Sequence, residues 1–371
     1  MMPDIKKEKC ATQLSETLGS ELHGDMALSA QAARLRYMQD DKPGFGRKRT
    51  AKGFRYVDTQ GRPIKDEKQL ARIRSLAIPP AWEKVWICPY ANGHLQATGY
   101  DARQRKQYRY HKAWRAIRDK AKFEHIIDFA LHLPAIREHI DADLAQPGLT
   151  RDKVLALVVS LLETTMIRVG NDEYARSNRS FGLTTLRNRH VEVNGGRIAF
   201  RFKGKSRVEH AIEIQNARLA RLVRKITELP GQELFQYIDD DGKRHAIDSS
   251  DVNDYLKRIT GRDYTAKDFR TWSGTVQTFH TLSAAEPFEN QSQAKKNVLA
   301  AITEAARKLG NTPSICRKCY VHPLIIDIYM TGKLFAALRK HSQPQQLDAW
   351  QAAEQDVLAL LQRHAGVKQP A

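Results

Sequence analysis

Near the end of the sequence, in GNTPSICRKCYVHP (310–323), one phenol, Tyr320, stands among Arg317, Lys318, His322 and two thiols. A free phenol has a pKa of about 10 and is a poor nucleophile at neutral pH. Neighbouring cations favour its anion, and they equally favour a phosphate that it attacks. Cleaving a phosphodiester with a side chain needs a nucleophile in line with the leaving oxygen. It needs cations where charge builds on the non-bridging oxygens, an acid for the departing alkoxide and a framework that holds these parts in place. Three more residues supply what Tyr320 lacks. Arg168, in MIRVGNDEY, lies at the end of an apolar helix, where a charge needs a partner; Glu163 and Asp172 are the ordinary structural ones. Lys205 sits in the tight turn FKGKS, a rigid way to push one ammonium outward. Arg270, in KDFRTW, has Trp272 beside it to pack against. Each signal alone is weak; together they make one nucleophile and three cations.

The elements that carry these residues can be read coarsely. The chain has 371 residues, 41% of them hydrophobic, which exceeds one ordinary core and predicts two domains. Residues 1–43 read as a tail, poorly ordered or helical. GFGRKRTAKGFRY (44–56) has five basic residues and no acid, and is expected to form a strand-and-loop segment, with 47–55 a candidate arm for nucleic-acid backbone. Short β-like runs, FRYVD, KVWICPY and HLQATGY, separated by Gly and Pro turns, predict a β-rich domain over 44–115 with one helix at 65–76. From 116 to 371 the pattern is mainly helical. VLALVVSLLETTMI reads as a buried helix opened by Thr150 and closing near Gly170. A three-stranded β-meander is expected at 190–214, turned by NGG and KGKS. Helices follow at 216–228, 251–259, 268–284, 291–308 and 324–365, the last broken at 342–346. The fold class is therefore α+β.

Composition narrows the partners. Sixty-one Lys and Arg against 42 Asp and Glu give a formal net charge of +19, which points to a polyanion. No run of about 18 apolar residues predicts a membrane helix, and the N-terminus lacks the apolar core of a signal peptide. Four cysteines suit a reducing compartment. Cys316 and Cys319 have CxxC spacing, but Cys10 and Cys88 are remote, so no metal is expected. GKS at 204–206 ends like a phosphate loop, yet the earlier glycine falls at Ala199 and the segment reads as a hairpin, so no ATP site is expected.

On these residues the sequence resembles the type IB DNA topoisomerases of the small bacterial and poxvirus-like branch. The resemblance covers about residues 50–335 and rests on IPPAWEKVWICPYANGHLQATGYDARQRKQYRYH (78–111), IRVGNDEYARSNRSFGLTTLRNRHV (167–191), FKGKSRVEH (202–210), KDFRTW (267–272) and GNTPSICRKCY (310–320). It implies that Tyr320 forms a covalent 3′-phosphotyrosyl bond, that Arg168 and Arg270 bind the scissile phosphate, and that Lys205 is the general acid for the 5′-oxygen. Asn311 matches a position where many relatives carry a histidine that touches a non-bridging oxygen; asparagine offers a neutral donor there. Lys267 matches the lysine of the KxxR box. Tyr108, Tyr110 and Tyr174 resemble DNA-contacting tyrosines, Arg105 and Lys106 flank the first two, and Asn171 stands where some relatives contact a base. Gln104 replaces a common glycine.

The resemblance further implies a clamp on duplex DNA, relaxation of supercoils without ATP or metal, no cofactor, a monomer, and a cytoplasmic location at the bacterial nucleoid. The rival is a tyrosine site-specific recombinase, which uses the same chemistry. Such enzymes usually show HxxR where this chain has KDFR, and a helical rather than β-rich N-terminal domain.

Overall fold

The computed structural model describes residues 26–51, 53–338 and 348–365. Expectations for residues 1–25, including Cys10, and for the break at 342–346 lie outside the described residues. The chain packs into two compact units that divide between His125 and Ile126.

In the first unit, α1 (Met26–Ala32) precedes β1 (Phe45–Thr50) and β2 (Gly53–Val57). Then come α2 (Glu67–Ser75), β3 (Glu83–Ile87), β4 (Leu95–Tyr100) and β5 (Lys106–Tyr110). The strands form one antiparallel sheet in the order β2-β1-β3-β4-β5. Ile73 of α2 packs on Val85, Ile87 and Ala97, with Phe45, Tyr56, Ile64 and Trp82 around them. Asp66 caps α2 by accepting from the Lys68 N–H. The segment 33–43, read as loose or helical, is neither. His94 N–H donates to the Arg36 carbonyl at 2.9 Å, Met38 N–H to His94 Nδ1 at 3.0 Å, and Trp86 Nε1–H to the Lys42 carbonyl at 2.8 Å. Backbone bonds to the sheet replace the local order that this polar sequence lacks.

A 34-residue helix, α3 (Lys112–Ala145), runs from the first unit into the second. The second unit is built on α4 (Arg151–Thr165), which is buried nearly all round, as its apolar sequence predicts. Thr150 caps its start, but the helix closes at Met166, which takes a left-handed conformation (φ 55°), four residues before the expected Gly170. Arg168 consequently stands on irregular chain beyond the helix, followed by α5 (Asp172–Asn178). β6 (Val191–Asn194), β7 (Arg197–Lys203) and β8 (Glu209–Gln215) form a three-stranded antiparallel sheet in chain order. α6 (Ala217–Thr227), the short pair β9 (Gln236–Ile238) and β10 (Arg244–Ala246), and α7 (Ser249–Thr260) follow.

The central element near the C-terminal end is α8 (Ala266–Ser283), most of whose residues are buried. Asp268 opens it, accepting from both the N–H and the hydroxyl of Thr265. Its buried threonines are satisfied within the helix: Thr271 donates to the Lys267 carbonyl, Thr275 to Thr271 and Thr278 to Gly274. α9 (Gln291–Leu309), α10 (Pro313–Cys319), α11 (Pro323–Met330), α12 (Lys333–Leu338) and α13 (Ala349–Ala365) complete the unit. Trp272 does not pack on Arg270 as expected. Its indole N–H donates to Glu354 of α13 at 2.8 Å, and Arg137 of α3 lies between Glu354 and Glu163. Glu163 is thus taken by Arg137, and Arg168 has neither of its expected structural carboxylates.

Candidate active site

Four of the five side chains read as catalytic converge on the C-terminal end of α9. Arg270, 4% exposed, donates from Nη2 to the Leu309 carbonyl at 2.8 Å and from Nη1 to the Met166 carbonyl. Arg168 donates to the Gly310 carbonyl at 3.1 Å and to Asn311 Oδ1 at 2.5 Å. The last carbonyls of a helix have no partner within it and form the negative end of its dipole. Here the end of α9, with the Met166 carbonyl that closes α4, holds two guanidinium groups in place. Neither arginine pairs with a carboxylate among the described residues. Burial lowers the pKa of Arg168. Burial, and then repulsion from Arg168, pulls Arg270 down to about 10, against the pull of Tyr320. Both are still cationic at neutral pH. The Nε–H of Arg270 is buried and has no acceptor among the described residues.

The Arg270 guanidinium lies over the Tyr320 ring, 5.2 Å from its centre. Tyr320 ends α10: its N–H bonds to the Cys316 carbonyl at 2.9 Å. The single proton of the Thr275 hydroxyl is shared between the Thr271 carbonyl at 2.9 Å and the Tyr320 carbonyl at 3.2 Å, and the same oxygen accepts from the His322 N–H at 3.1 Å. The chain passes so close to α8 that a Cβ on Gly274 would lie 2.7 Å from the Tyr320 carbonyl oxygen. Gly274 and Thr275 thus hold the backbone that carries the phenol. Sequence reasoning passed over both, although a glycine and a threonine one turn beyond Arg270 in an apolar helix were a legible sign of close approach.

Lys205 lies in the β7–β8 turn, where Ser206 and Arg207 both have φ near 60° (62° and 61°). Its ammonium is exposed and bonds to none of the described residues, as the outward-pushing turn predicts. Asn311 is half-buried, accepts from Arg168 through Oδ1 and donates one amide N–H to the Leu309 carbonyl at 3.5 Å, which leaves its second N–H as a donor.

The residues read as DNA contacts are dispersed. Lys267 is exposed on the first turn of α8. Tyr174 is 51% exposed on α5, and Asn171 is the cap of that helix, its Oδ1 accepting from the Tyr174 N–H at 3.0 Å. In the first unit Tyr108 stacks on Tyr110 with ring centres 6.0 Å apart, Tyr108 exposed and Tyr110 half-buried. Arg105 pairs with Asp101 at 2.7 Å and Lys106 with Asp40 at 2.7 Å. Gln104 takes a left-handed φ of 56°, the conformation a glycine would accept freely. Arg47, at the start of the expected arm, turns inward to the carbonyls of Ile78, Pro79 and Trp82, whereas Lys48, Arg49 and Arg55 are exposed. Among the described residues no group of three or more His, Cys, Asp or Glu could hold a metal ion, and neither Cys316 nor Cys319 is in a disulfide.

A half-buried phenol beside two guanidinium groups, one buried and one half-buried, that lack counter-ions among the described residues defines a site for an anion that the phenol can attack. Residues 111–345 match the family model for the eukaryotic DNA topoisomerase I catalytic core, and residues 53–101 match that for the bacterial DNA topoisomerase IB N-terminal domain. The chain is 31% identical to DNA topoisomerase 1B of Acanthamoeba polyphaga mimivirus over 308 residues, 81% of this chain and 92% of the relative. It is 24% identical to DNA topoisomerase 1B of Vaccinia virus over 250 residues, 67% of this chain and 76% of the relative. The Monkeypox virus DNA topoisomerase I matches at 24% over 253 residues. The chain belongs to the type IB DNA topoisomerases, isomerases that break and rejoin single strands of DNA. No helix among the described residues is long and apolar enough to cross a membrane.

Proposed function

We propose that this enzyme relaxes supercoiled duplex DNA, as a monomer, through a 3′-phosphotyrosyl intermediate that needs neither ATP nor a metal ion. The observation that carries the reading is the pair of guanidinium groups, half-buried Arg168 and buried Arg270, set around Tyr320 with no carboxylate paired to either among the described residues. A buried cation without an anion is unfavourable unless a ligand supplies one, and a scissile phosphate does so.

In the cleavage step the Tyr320 oxygen bonds to phosphorus, the phosphorus–O5′ bond breaks, and the phenolic proton passes to solvent. Lys205 gives a proton to O5′, which leaves as a hydroxyl. Arg168, Arg270 and the Asn311 amide hold the non-bridging oxygens, whose charge grows in the transition state. No water is consumed, so the phosphotyrosine conserves the bond for religation by the 5′-hydroxyl. Between the steps the free end rotates. Positively charged groups thereby take the part that metal ions play elsewhere in phosphoryl transfer.

Residues 44–115 act as a DNA-binding domain and 116–371 as the catalytic domain. Tyr108, Tyr110, Tyr174, Lys267 and the exposed Lys48, Arg49 and Arg55 contact the duplex. Arg105 and Lys106 contribute by exchanging their carboxylate partners for phosphates. Such contacts are mostly to backbone, so affinity falls steeply with salt and sequence preference is weak.

The test is plasmid relaxation in EDTA without nucleotide, together with covalent trapping on labelled duplex. The wild type should relax the plasmid and form adduct; Tyr320→Phe should bind DNA and do neither. Strict dependence on a metal or ATP, or relaxation by the phenylalanine variant, refutes the mechanism. Resolution of synthetic four-way junctions without relaxation would favour a recombinase instead.

A further inference from the structure

The His210 imidazole takes no part in the chemistry above, yet it lies between two parts of the site. It sits on β8 opposite Phe202 of β7, with the rings stacked 4.9 Å apart and 12° from parallel. Two glycines close on it. A Cβ on Gly204 would fall 2.6 Å from Nε2 and 2.7 Å from Cδ2, and a Cβ on Gly310 would fall 2.3 Å from Cε1. Gly204 immediately precedes Lys205. Gly310 immediately precedes Asn311, and its carbonyl receives Arg168. The ring is therefore interposed between the β7–β8 turn and the end of α9, and only the missing side chains on both sides let the two backbones approach it.

The turn needs such a support. Lys205 has no partner of its own among the described residues, and the loop is closed by the Gly204 N–H to the Val208 carbonyl at 2.8 Å and the Arg207 N–H to the Gly204 carbonyl at 3.0 Å. These bonds shape the loop but do not tie it to the rest of the site. A lysine on an untethered turn spreads over many rotamers and positions, whereas proton transfer demands a defined reach. No described residue hydrogen-bonds to the imidazole, so its contribution is one of shape. Burial, and the nearby charges of Arg168 and Arg270, hold its pKa down, so the ring stays neutral.

We propose that His210 is a positioning residue, whose ring is the spacer that fixes the Lys205 turn against the Gly310–Asn311 segment. It thereby sets the reach of the ammonium toward the leaving 5′-oxygen. This rests on the assignment of Lys205 as the general acid.

The experiment compares single-turnover cleavage of two strands, one with oxygen and one with sulfur at the 5′-bridging position. A thiolate leaves without a proton, because a thiol pKa of about 8.5 is far below that of an alcohol. His210→Ala should slow cleavage of the oxygen strand by roughly 10²-fold, within the usual range for general acid catalysis, and slow the sulfur strand less than about fivefold. The ratio of the two rates on one preparation does not depend on the fraction folded. His210→Phe, which keeps a flat ring without nitrogens, should restore the oxygen strand to within about fivefold of wild type. Three results would overturn the proposal: His210→Ala cleaving both strands normally, an equal loss on both strands, or a phenylalanine variant as slow as the alanine. Lys205→Ala is the control. If sulfur fails to rescue it, the general-acid assignment fails, and this is distinct from rescue of Lys205→Ala without rescue of His210→Ala.

Discussion

Gly274→Ala asks how tightly the nucleophile is held. A Cβ at this position meets the Tyr320 carbonyl oxygen at 2.7 Å, its Cβ at 3.0 Å and Leu309 Cδ1 at 3.1 Å. Ordinary contact begins near 3.4 Å, so Tyr320 must retreat by about 0.4–0.7 Å. A misplacement of about 1 Å at a reacting group costs roughly 10²-fold in rate, which scales here to about 6- to 25-fold, or about 1.1–1.9 kcal/mol of barrier. Overpacking destabilises by about 1–3 kcal/mol, and alanine returns about 1 kcal/mol in a helix interior, so the variant should fold. The assay is single-turnover adduct formation on a duplex whose cleaved end is lost, with DNA affinity measured in parallel. Cleavage should fall by the stated factor while affinity stays constant. Cleavage within about twofold of wild type, or a matching loss of affinity, would refute the view that Gly274 serves the nucleophile.

Two further outcomes follow from the same geometry. Arg270→Lys removes a planar fork that reaches the Met166 and Leu309 carbonyls while covering the Tyr320 ring. Adduct formation should drop by at least about 10²-fold with little change in DNA affinity, and a loss under about fivefold would count against the assignment. His94, His190 and His210 all have depressed pKa values, burial being the largest cause in each. The unfolded chain therefore binds more protons than the folded one below the ordinary histidine value of about 6.5. Their stabilising contribution is present above that value and is lost as the pH falls through their folded pKa values. The urea midpoint should decline from pH 7.5 to 5.5, and a flat profile would exclude this linkage.

The chemistry-bearing residues were legible because their types are costly without a purpose. An arginine adjoining an apolar helix, a lysine between Gly204 and Ser206, and a phenol among cations each needed an explanation, and five motifs in order gave one. Thr150 and Asn194-Gly195 marked a helix start and a turn through local chemistry that needs no tertiary context. What could not be read depended on distant chain. Helix α4 closes at Met166, which turns left-handed and offers its carbonyl to Arg270, more than a hundred residues away. Trp272, adjacent in sequence to Arg270's turn, instead serves Glu354 of α13. Arg47 looked like part of a DNA arm, but three carbonyls from 78–82 capture it. His210 has no hydrogen-bond partner among the described residues, so it left no trace in spacing, and the two backbones that close on its ring reveal it.

The clip between Thr275 and Tyr320 has a mechanical meaning under the proposed chemistry. Once a strand is joined to the phenol, torque in the DNA runs through the phosphorus bond into residue 320, then into α8 and the hydrophobic interior behind it. That side of the nick is bolted down. Lys205, on the exposed β7–β8 turn, has no comparable anchor of its own among the described residues, so the proposed nucleophile is held far more firmly than the proposed acid.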